Sequence, residues 1–385
     1  MRTDRVTQMG LDGHRTFSKV TGRDSLGRVV CRQRIEHGDR RVLRADLAMW
    51  PKGTPVILEG TFGWGWLCNE LELVGLEPHL ASSRKVAAWR EARGIAKSNR
   101  TDADLLSELW SQQPRWWEVW LAPQEVRDQR EWMRYRMSLV RMQTRLKNQI
   151  HAIMHRHGIV HGFSDLFGRE GRALLNLLVA PNDATLRTSA QAMLKGYLQL
   201  LDHVRGQIAR VTREIRRQLR KSPDGERLRT IPGIDWILGY TILAEIGRIE
   251  RFKSSKQLAS YALLAPRADD SGEEDEEPPK GRHVGRVGRR TLKWAFIEAA
   301  RGAVRRGGRF REIFDRRTHG GKRDRNRGYI TVGHELARVV HVMLKKGVDY
   351  MEHPPARPGR VSRRRVHRKS RPGTGQPDHP MAVAV

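Results

Sequence analysis

Two long runs of apolar residues, spaced alternately by three and four positions, constrain this chain more than any other feature. The first is Trp132, Tyr135, Leu139, Met142 and Leu146, continued by Ile150 and Ile153, within a strongly helical stretch from Glu125 to His157. The second is Leu194, Tyr197, Leu201, Val204, Ile208, Val211, Ile215 and Leu219. Such spacing keeps one stripe of a helix apolar over many turns, the pattern of a coiled-coil seam. Turn signals between the runs, at Gly162-Phe163-Ser164-Asp165 and Ala180-Pro181-Asn182, fit an antiparallel helix pair or a coiled coil that joins subunits. The helices claim residues 123–222. At 385 residues the chain exceeds the roughly 250–300 that one core supports. Separate cores are therefore expected at 1–122 and 223–350, followed by a basic, Pro- and Gly-rich disordered tail at 351–385.

The N-terminal region reads as mixed α/β. Val6 to Leu11 is a strand closed by Asp12-Gly13-His14, and Arg15–Val20 and Arg28–Arg32 follow it as a meander, with Asp24-Ser25-Leu26-Gly27 as a turn. A polar, Arg-rich, helix-compatible stretch leads to Val56-Ile57-Leu58, a buried strand ending in Glu59. Trp64–Leu73 reads as a helix and Leu76–Ala81 as a further strand. This order is that of an RNase H-like domain. Asp12 and Glu59 close two strands, and Asp102 opens a helix that Leu105, Leu106 and Leu109 anchor. Each acid alone reads as a turn former or a first-turn helix acid. Together, acids at the ends of such elements repel one another unless a cation joins them, and oxygen ligands of this kind suit Mg²⁺.

Charge narrows the partner. Lys and Arg number 73 against 43 Asp and Glu, a formal +30, and nucleic acid is the usual partner of so large an excess. The polar faces of the long helices carry Arg127, Arg130, Arg134, Arg141, Arg145 and Lys147, and later Arg205, Arg210, Arg213, Arg216, Arg217 and Arg220. With few balancing acids these favour contact with a phosphate backbone over a merely solvated face. No apolar run approaches the roughly 20 residues of a membrane span, so a cytoplasmic, nucleoid-associated protein is expected. Cys31 and Cys68, each beside apolar residues, predict neither a disulfide framework nor a zinc site.

In the last third, Leu228-Arg229-Thr230-Ile231-Pro232-Gly233-Ile234-Asp235 precedes an apolar helix, Trp236–Ile246, in the manner of a helix-hairpin-helix. Asp235 stands where the hairpin's second glycine belongs, so packing of two short helices is an equal reading. Gln257 to Ala300 then holds an apolar segment, Ser271-Gly272 on a loop, an acid run from Asp269 to Glu277, and a basic block of Arg282, Arg286, Arg289 and Arg290 leading into a helix from about Arg289. A loop serine beside glycine is a place for a nucleophile, although the same residues suit a plain solvated loop.

Taken in order, Gly10-Leu11-Asp12-Gly13-His14, Val56-Ile57-Leu58-Glu59-Gly60-Thr61, Asp102-Ala103, Lys147 to Ile159, Ile231-Pro232-Gly233-Ile234, Gln257 to Pro266 and Ser271-Gly272 resemble the DEDD transposases of insertion-sequence family one-ten, up to about Tyr350. The resemblance implies a RuvC-like domain, a coiled-coil insertion and a mainly helical C-terminal transposase domain. Asp12, Glu59 and Asp102 would hold Mg²⁺ and Ser271 would attack a DNA phosphate. Asn99 stands where the family has an acid and would ligate through its carbonyl oxygen. The resemblance also implies donor and target DNA as substrates and a structured bridge RNA as guide. Because the acids and the serine lie in separate regions, the site must be assembled by domain closure or by two subunits, and a homo-oligomer, dimer or tetramer, joined through the long helices is expected. Two alternatives stay open: a structure-specific junction endonuclease that uses the acids alone, and a nucleic-acid-binding protein without catalysis.

Overall fold

The computed structural model describes residues 3–61, 63–96, 99–181, 184–265 and 288–352, the side chains of 99–101 excepted. The chain begins with three strands, β1 (Gln8–Gly13), β2 (Phe17–Arg23) and β3 (Val29–Glu36), and then α1 (Arg40–Ala48). There follow β4 (Pro55–Glu59), α2 (Trp64–Leu73), β5 (Glu77–Ala81), α3 (Ser83–Ala92), α4 (Asn99–Glu108) and β6 (Glu118–Val119). The strands form one mixed sheet in the order β3-β2-β1-β4-β5-β6. β1, β2 and β3 pair antiparallel, β1, β4 and β5 pair parallel, and β6 is antiparallel to β5. Both faces are covered, which is why Val56-Ile57-Leu58 is an unbroken apolar run. Val56 and Leu58 join Met9, Leu11 and Val20 under α1 and α2, while Ile57 points the other way to Leu105, Leu106, Leu109 and Trp117. The arrangement is compatible with an RNase H-like DEDD domain.

Helices make up the rest: α5 (Gln124–Arg156), α6 (Arg169–Leu177), α7 (Thr188–Arg220), α8 (Pro223–Arg229), α9 (Trp236–Ile246), α10 (Ser255–Tyr261), α11 (Arg290–Arg306), α12 (Gly308–Thr318) and α13 (Arg325–Lys346). The two long ones, α5 and α7, have 33 residues each and pack together. On α7 the expected stripe is buried at Leu194, Leu201, Val204, Val211, Ile215 and Leu219. On α5 it is buried only in part: Leu139, Ile150 and Ile153 point inward, but Trp132, Tyr135 and Met142 are exposed and Arg127, Arg130 and Met133 are buried in the first half of the helix. The cause is a second set of partners. α5 packs on α9 as well as α7, and Arg127 reaches Glu72 of α2 at 2.7 Å. These contacts roll α5 away from a simple two-helix seam, and they turn Arg127 and Arg130 inward from the solvent face expected of them.

In the last third, α8, α9, α10, α11, α12 and α13 share one core with Leu238, Ile242, Phe296, Phe310, Val332 and Leu336 near its centre. Gly233, at φ +88°, lets the Ile231-Pro232-Gly233 turn lie backbone to backbone on α11, where a Cβ would collide with the Ala299 carbonyl and the Ala303 amide. Asp235 caps α9, its Oδ1 accepting from Leu238 N at 2.8 Å. The expected tail lies, from residue 353 on, outside the described residues. Cys31 and Cys68 are free and buried. Among the described residues no helix is long and apolar enough to cross a membrane.

Candidate active site

The acids are brought together by strand parity and one glycine. β1 and β4 are parallel with Gly10 opposite Ile57 and Leu11 opposite Leu58, so the next step sets Asp12 beside Glu59 at the carboxyl ends of adjacent strands. Alternation along a strand puts Gly10 and Asp12 on one face, and Ile57 and Glu59 on that same face. α4 crosses this face directly at Gly10, where any Cβ would strike the Ala103 carbonyl and the Ser107 amide. Gln8 Nε2 locks the crossing by donating to Ser107 O at 2.7 Å, and Ala103, Leu105 and Leu106 are buried beneath. Asp102, in the first turn of α4, is thereby carried over the strand ends that hold Asp12 and Glu59.

The three carboxylates share one field. Burial is the largest influence on both strand acids and pushes each pKa up, and the Asp102 charge raises them further. Nearby groups act in opposition. His14 lowers Asp12, and a hydrogen bond from Ser83 and the charge of Arg90 lower Glu59. His14 Nε2 lies 3.0 Å from Asp12 Oδ2, close enough to lower the Asp12 pKa, but without full hydrogen-bond geometry for either buried atom. Asp102 Oδ1 accepts from Arg90 Nη1 of α3 at 2.8 Å. Arg90 thus occupies the role of counter-charge, with Lys19 and His14 beside Asp12. Among the described residues, no three of the His, Cys, Asp and Glu side chains converge as a ready-made metal cage. The donors nevertheless have the chemistry a hard divalent cation prefers: carboxylate oxygens, partly desolvated, one of them unsatisfied.

Asp104 shows what a spent carboxylate looks like two residues away. It accepts from Thr21 Oγ1 at 2.7 Å and from Arg32 Nη2 at 2.9 Å, and these hydrogen bonds outweigh its burial, holding its pKa below the usual range. It fastens α4 to β2 and β3 on the side away from Asp12 and Glu59. The side chain of Asn99 lies outside the described residues. Arg90 and Ser83 have no signal in the sequence, because their reach depends on how α3 packs. His14 is adjacent to Asp12 in the quoted motif and could have been paired with it there.

The segment bearing Ser271, Arg282 and Arg286 lies outside the described residues, but its two ends do not. The chain leaves after α10 and returns at Gly288, where Arg289 N donates to Tyr261 O and Arg289 Nε to Tyr261 Oη, both at 2.9 Å. Both ends therefore meet at Tyr261. Behind them Glu245 is buried, its Oε2 3.6 Å from Arg289 Nε and 3.9 Å from Arg130 Nε. Arg130 and Arg251 donate to the last carbonyls of α9, at Ala244 (2.8 Å), Glu245 (3.1 Å from Arg130) and Ile246 (2.8 Å). Both guanidiniums lie over the Trp120 ring, just past β6. The root of the serine segment is thus tied to the exit of the sheet region. Of the other expected nucleic-acid contacts, Arg134, Arg141, Arg145 and Arg290 are exposed and Lys147 lies over Phe167.

A mixed sheet with carboxylates gathered on one face at its strand ends defines a class of DEDD-type nucleic-acid enzymes. Comparison with known proteins agrees. A family model for DEDD transposases of the IS110 type matches residues 9–159, and one described as "Transposase IS116/IS110/IS902 family" matches residues 225–315. A "Probable family 20 transposase" of Pseudomonas aeruginosa is 24% identical over 304 residues, 78% of this chain and 85% of that protein. The "Transposase for insertion sequence element IS1111A" of Coxiella burnetii is 24% identical over 299 residues, 77% of this chain and 78% of that protein. The chain belongs to the IS110 family of DEDD insertion-sequence transposases and is a DNA transposase, an enzyme of DNA recombination.

Proposed function

We propose that this transposase cuts and rejoins DNA with a divalent-metal site built from Asp12, Glu59 and Asp102 and a serine nucleophile, Ser271. The observation that carries the reading is the gathering of three mutually repelling carboxylates at one end of the sheet, where a Mg²⁺ ion would relieve the cost that burial imposes. Residues Asp12 and Glu59 would hold the ion, and Asp102 would join them as Arg90 turns to the incoming phosphate. Asn99 is the further candidate ligand. The ion's contribution is charge neutralisation at the scissile phosphate. Ser271 Oγ attacks phosphorus, the serine proton leaves to a base, and the sugar oxygen departs with the electron pair of the broken P–O bond. The resulting phosphoserine keeps the bond energy for rejoining.

Donor and target DNA are the substrates in this reading, with an element-encoded bridge RNA as guide and a dimer or tetramer as the working assembly. The family resemblance supports the nucleic-acid partners, and the charge of +30 fits them. The root of the serine segment is tied through Trp120 and Arg130 to the end of the sheet region, which fits one composite site or sites exchanged between subunits. The test is strand cleavage and transfer on DNA carrying the element's ends. Asp12→Asn and Glu59→Gln should each abolish cleavage, and Ser271→Ala should abolish both cleavage and a protein–DNA adduct that resists denaturation. Cleavage by Ser271→Ala at the wild-type rate would establish the junction-endonuclease reading instead.

A further inference from the structure

A second region is built for nucleic acid. Between the Ile231–Gly233 turn, the start of α9 and α11 lies a groove of about 770 Å³, within the roughly 300–1,000 Å³ typical of ligand sites. Four arginines line it, Arg136, Arg229, Arg305 and Arg306, with two tryptophans, Trp236 and Trp294. The two acids in its wall are engaged elsewhere: Asp235 caps α9 and Glu298 accepts from Arg301 at 2.8 Å. The groove exists because Gly233 and Gly302 bring turn and helix into backbone contact, leaving the large side chains on either side as walls. The turn's Ile234 amide is spent on Ile231 O at 3.1 Å, so arginine side chains supply the donors here.

The tryptophans differ. Trp236 is already covered, with Arg229 3.4 Å from its ring centroid and Arg220 5.1 Å away. Trp294 is 37% exposed, and among the described residues no ring or guanidinium stacks on it. An exposed indole in an arginine-lined groove is costly to leave in water and suits the face of a base. The groove also continues. Arg136 Nε donates to Thr212 Oγ1 at 3.0 Å, and Thr212 lines a neighbouring cavity of about 340 Å³ with Arg205, Arg213 and Arg216. The arginines of the two cavities thus form one basic track.

We infer that this groove binds single-stranded nucleic acid, with one unpaired base stacked on Trp294 and the strand's phosphates running over Arg305, Arg306 and Arg136 toward Arg213 and Arg216. A duplex keeps its bases stacked inside and offers only phosphates and base edges, so it cannot use the indole. A DNA or an RNA strand shares the required chemistry. The inference does not rest on the acid and serine reading, because the contact needs no metal and no strand cleavage.

The test is fluorescence anisotropy of the full-length chain in EDTA with short labelled single strands of DNA and of RNA, and the DNA as duplex. Trp294→Ala should weaken single-strand binding about tenfold, leaving duplex affinity and the salt dependence unchanged. Trp294→Lys separates stacking from charge: stacking predicts weaker binding, charge alone predicts tighter. Arg305→Gln with Arg306→Gln, both on the exposed end of α11, should shallow the salt dependence by about one to two counterions. Loss confined to DNA identifies a displaced DNA strand as the ligand, and loss confined to RNA identifies an RNA. Unchanged single-strand affinity in Trp294→Ala, an equal loss on duplex, or tighter binding by Trp294→Lys would overturn the proposal.

Discussion

The acid site at the end of the sheet and the arginine cluster around Glu245 both bury charge, and they treat it in opposite ways. At Glu245 cations outnumber the carboxylate and are spent within the chain, although Glu245 Oε2, like Asp12 Oδ2, has no hydrogen-bond partner. Arg130 and Arg251 give their N–H groups to the open carbonyls at the end of α9, Arg289 holds Tyr261, and one carboxylate balances them. At the sheet, Asp12 Oδ2 has no hydrogen-bond partner either, two pKa values are pushed up, and the groups that oppose this are His14, Lys19, Arg90 and a hydrogen bond from Ser83. Excess cations that end on backbone carbonyls hold structure together, whereas excess carboxylates that raise one another's pKa suit a cation that is not part of the chain.

That contrast can be broken at four places. Arg130→Met should have the largest effect on the fold, about 3 kcal/mol in denaturant unfolding, because it removes the donor to Ala244 O and the shorter donor to Glu245 O and takes one cation from beside Glu245. Gly10→Ala should cost about 1–3 kcal/mol, since α4 must lift off β1. It should also lower cleavage far more than stability, because Asp102 moves with α4. Asp104→Asn, which touches a saturated and partly exposed pair, should cost about 1 kcal/mol and leave any Mg²⁺-induced rise in melting temperature intact. Asp12→Asn should do the reverse: a small gain in metal-free stability and loss of that Mg²⁺ response. A metal-free loss for Asp12→Asn as large as that for Arg130→Met would remove the distinction between the two regions.

Acidity sharpens the same comparison by the smallest margin. Asp12 and Glu59 have folded-state pKa values raised above their ordinary 3.8 and 4.5, so the folded chain binds protons more tightly than the unfolded one. Their unfavourable contribution is therefore present at neutral pH and disappears as pH falls through the raised values toward the ordinary ones. Metal-free protein should gain stability from these groups over that window. Protons compete with the ion, so Mg²⁺ stabilisation should shrink over it. Melting curves with and without Mg²⁺ across the window should converge as pH drops, and parallel curves would show that these acids do not bind the ion.

Local pattern made a good part of this legible. The strand ending in Asp12, the strand ending in Glu59, the helix Trp64–Leu73 and the helix Trp236–Ile246 are visible as apolar runs closed by turn residues. α13 is not visible in this way. Its Arg325–Lys346 stretch carries Thr331, Val332, Val339, Val340 and Val342, residues with weak helix preference, and it is helical because α10, α11 and α12 surround it. The exposed Trp132, Tyr135 and Met142 are the same lesson in reverse, because a three-four stripe specifies a face and not the neighbour that will cover it.

What the sequence by itself determined is which residues carry charge, where strands and helices end, and which residues share a face within each strand; that Asp12 and Glu59 stand on one face follows from the register of β1 on β4. Only tertiary structure decided that Asp102 joins them while Asp104 is spent on Arg32, that Arg90 stands as counter-charge, and that Arg130 belongs to the interior. Those outcomes depend on distances between elements far apart in the chain, and burial and Coulomb interactions act through space, so they arise only when α4 settles on Gly10 and α5 on α9.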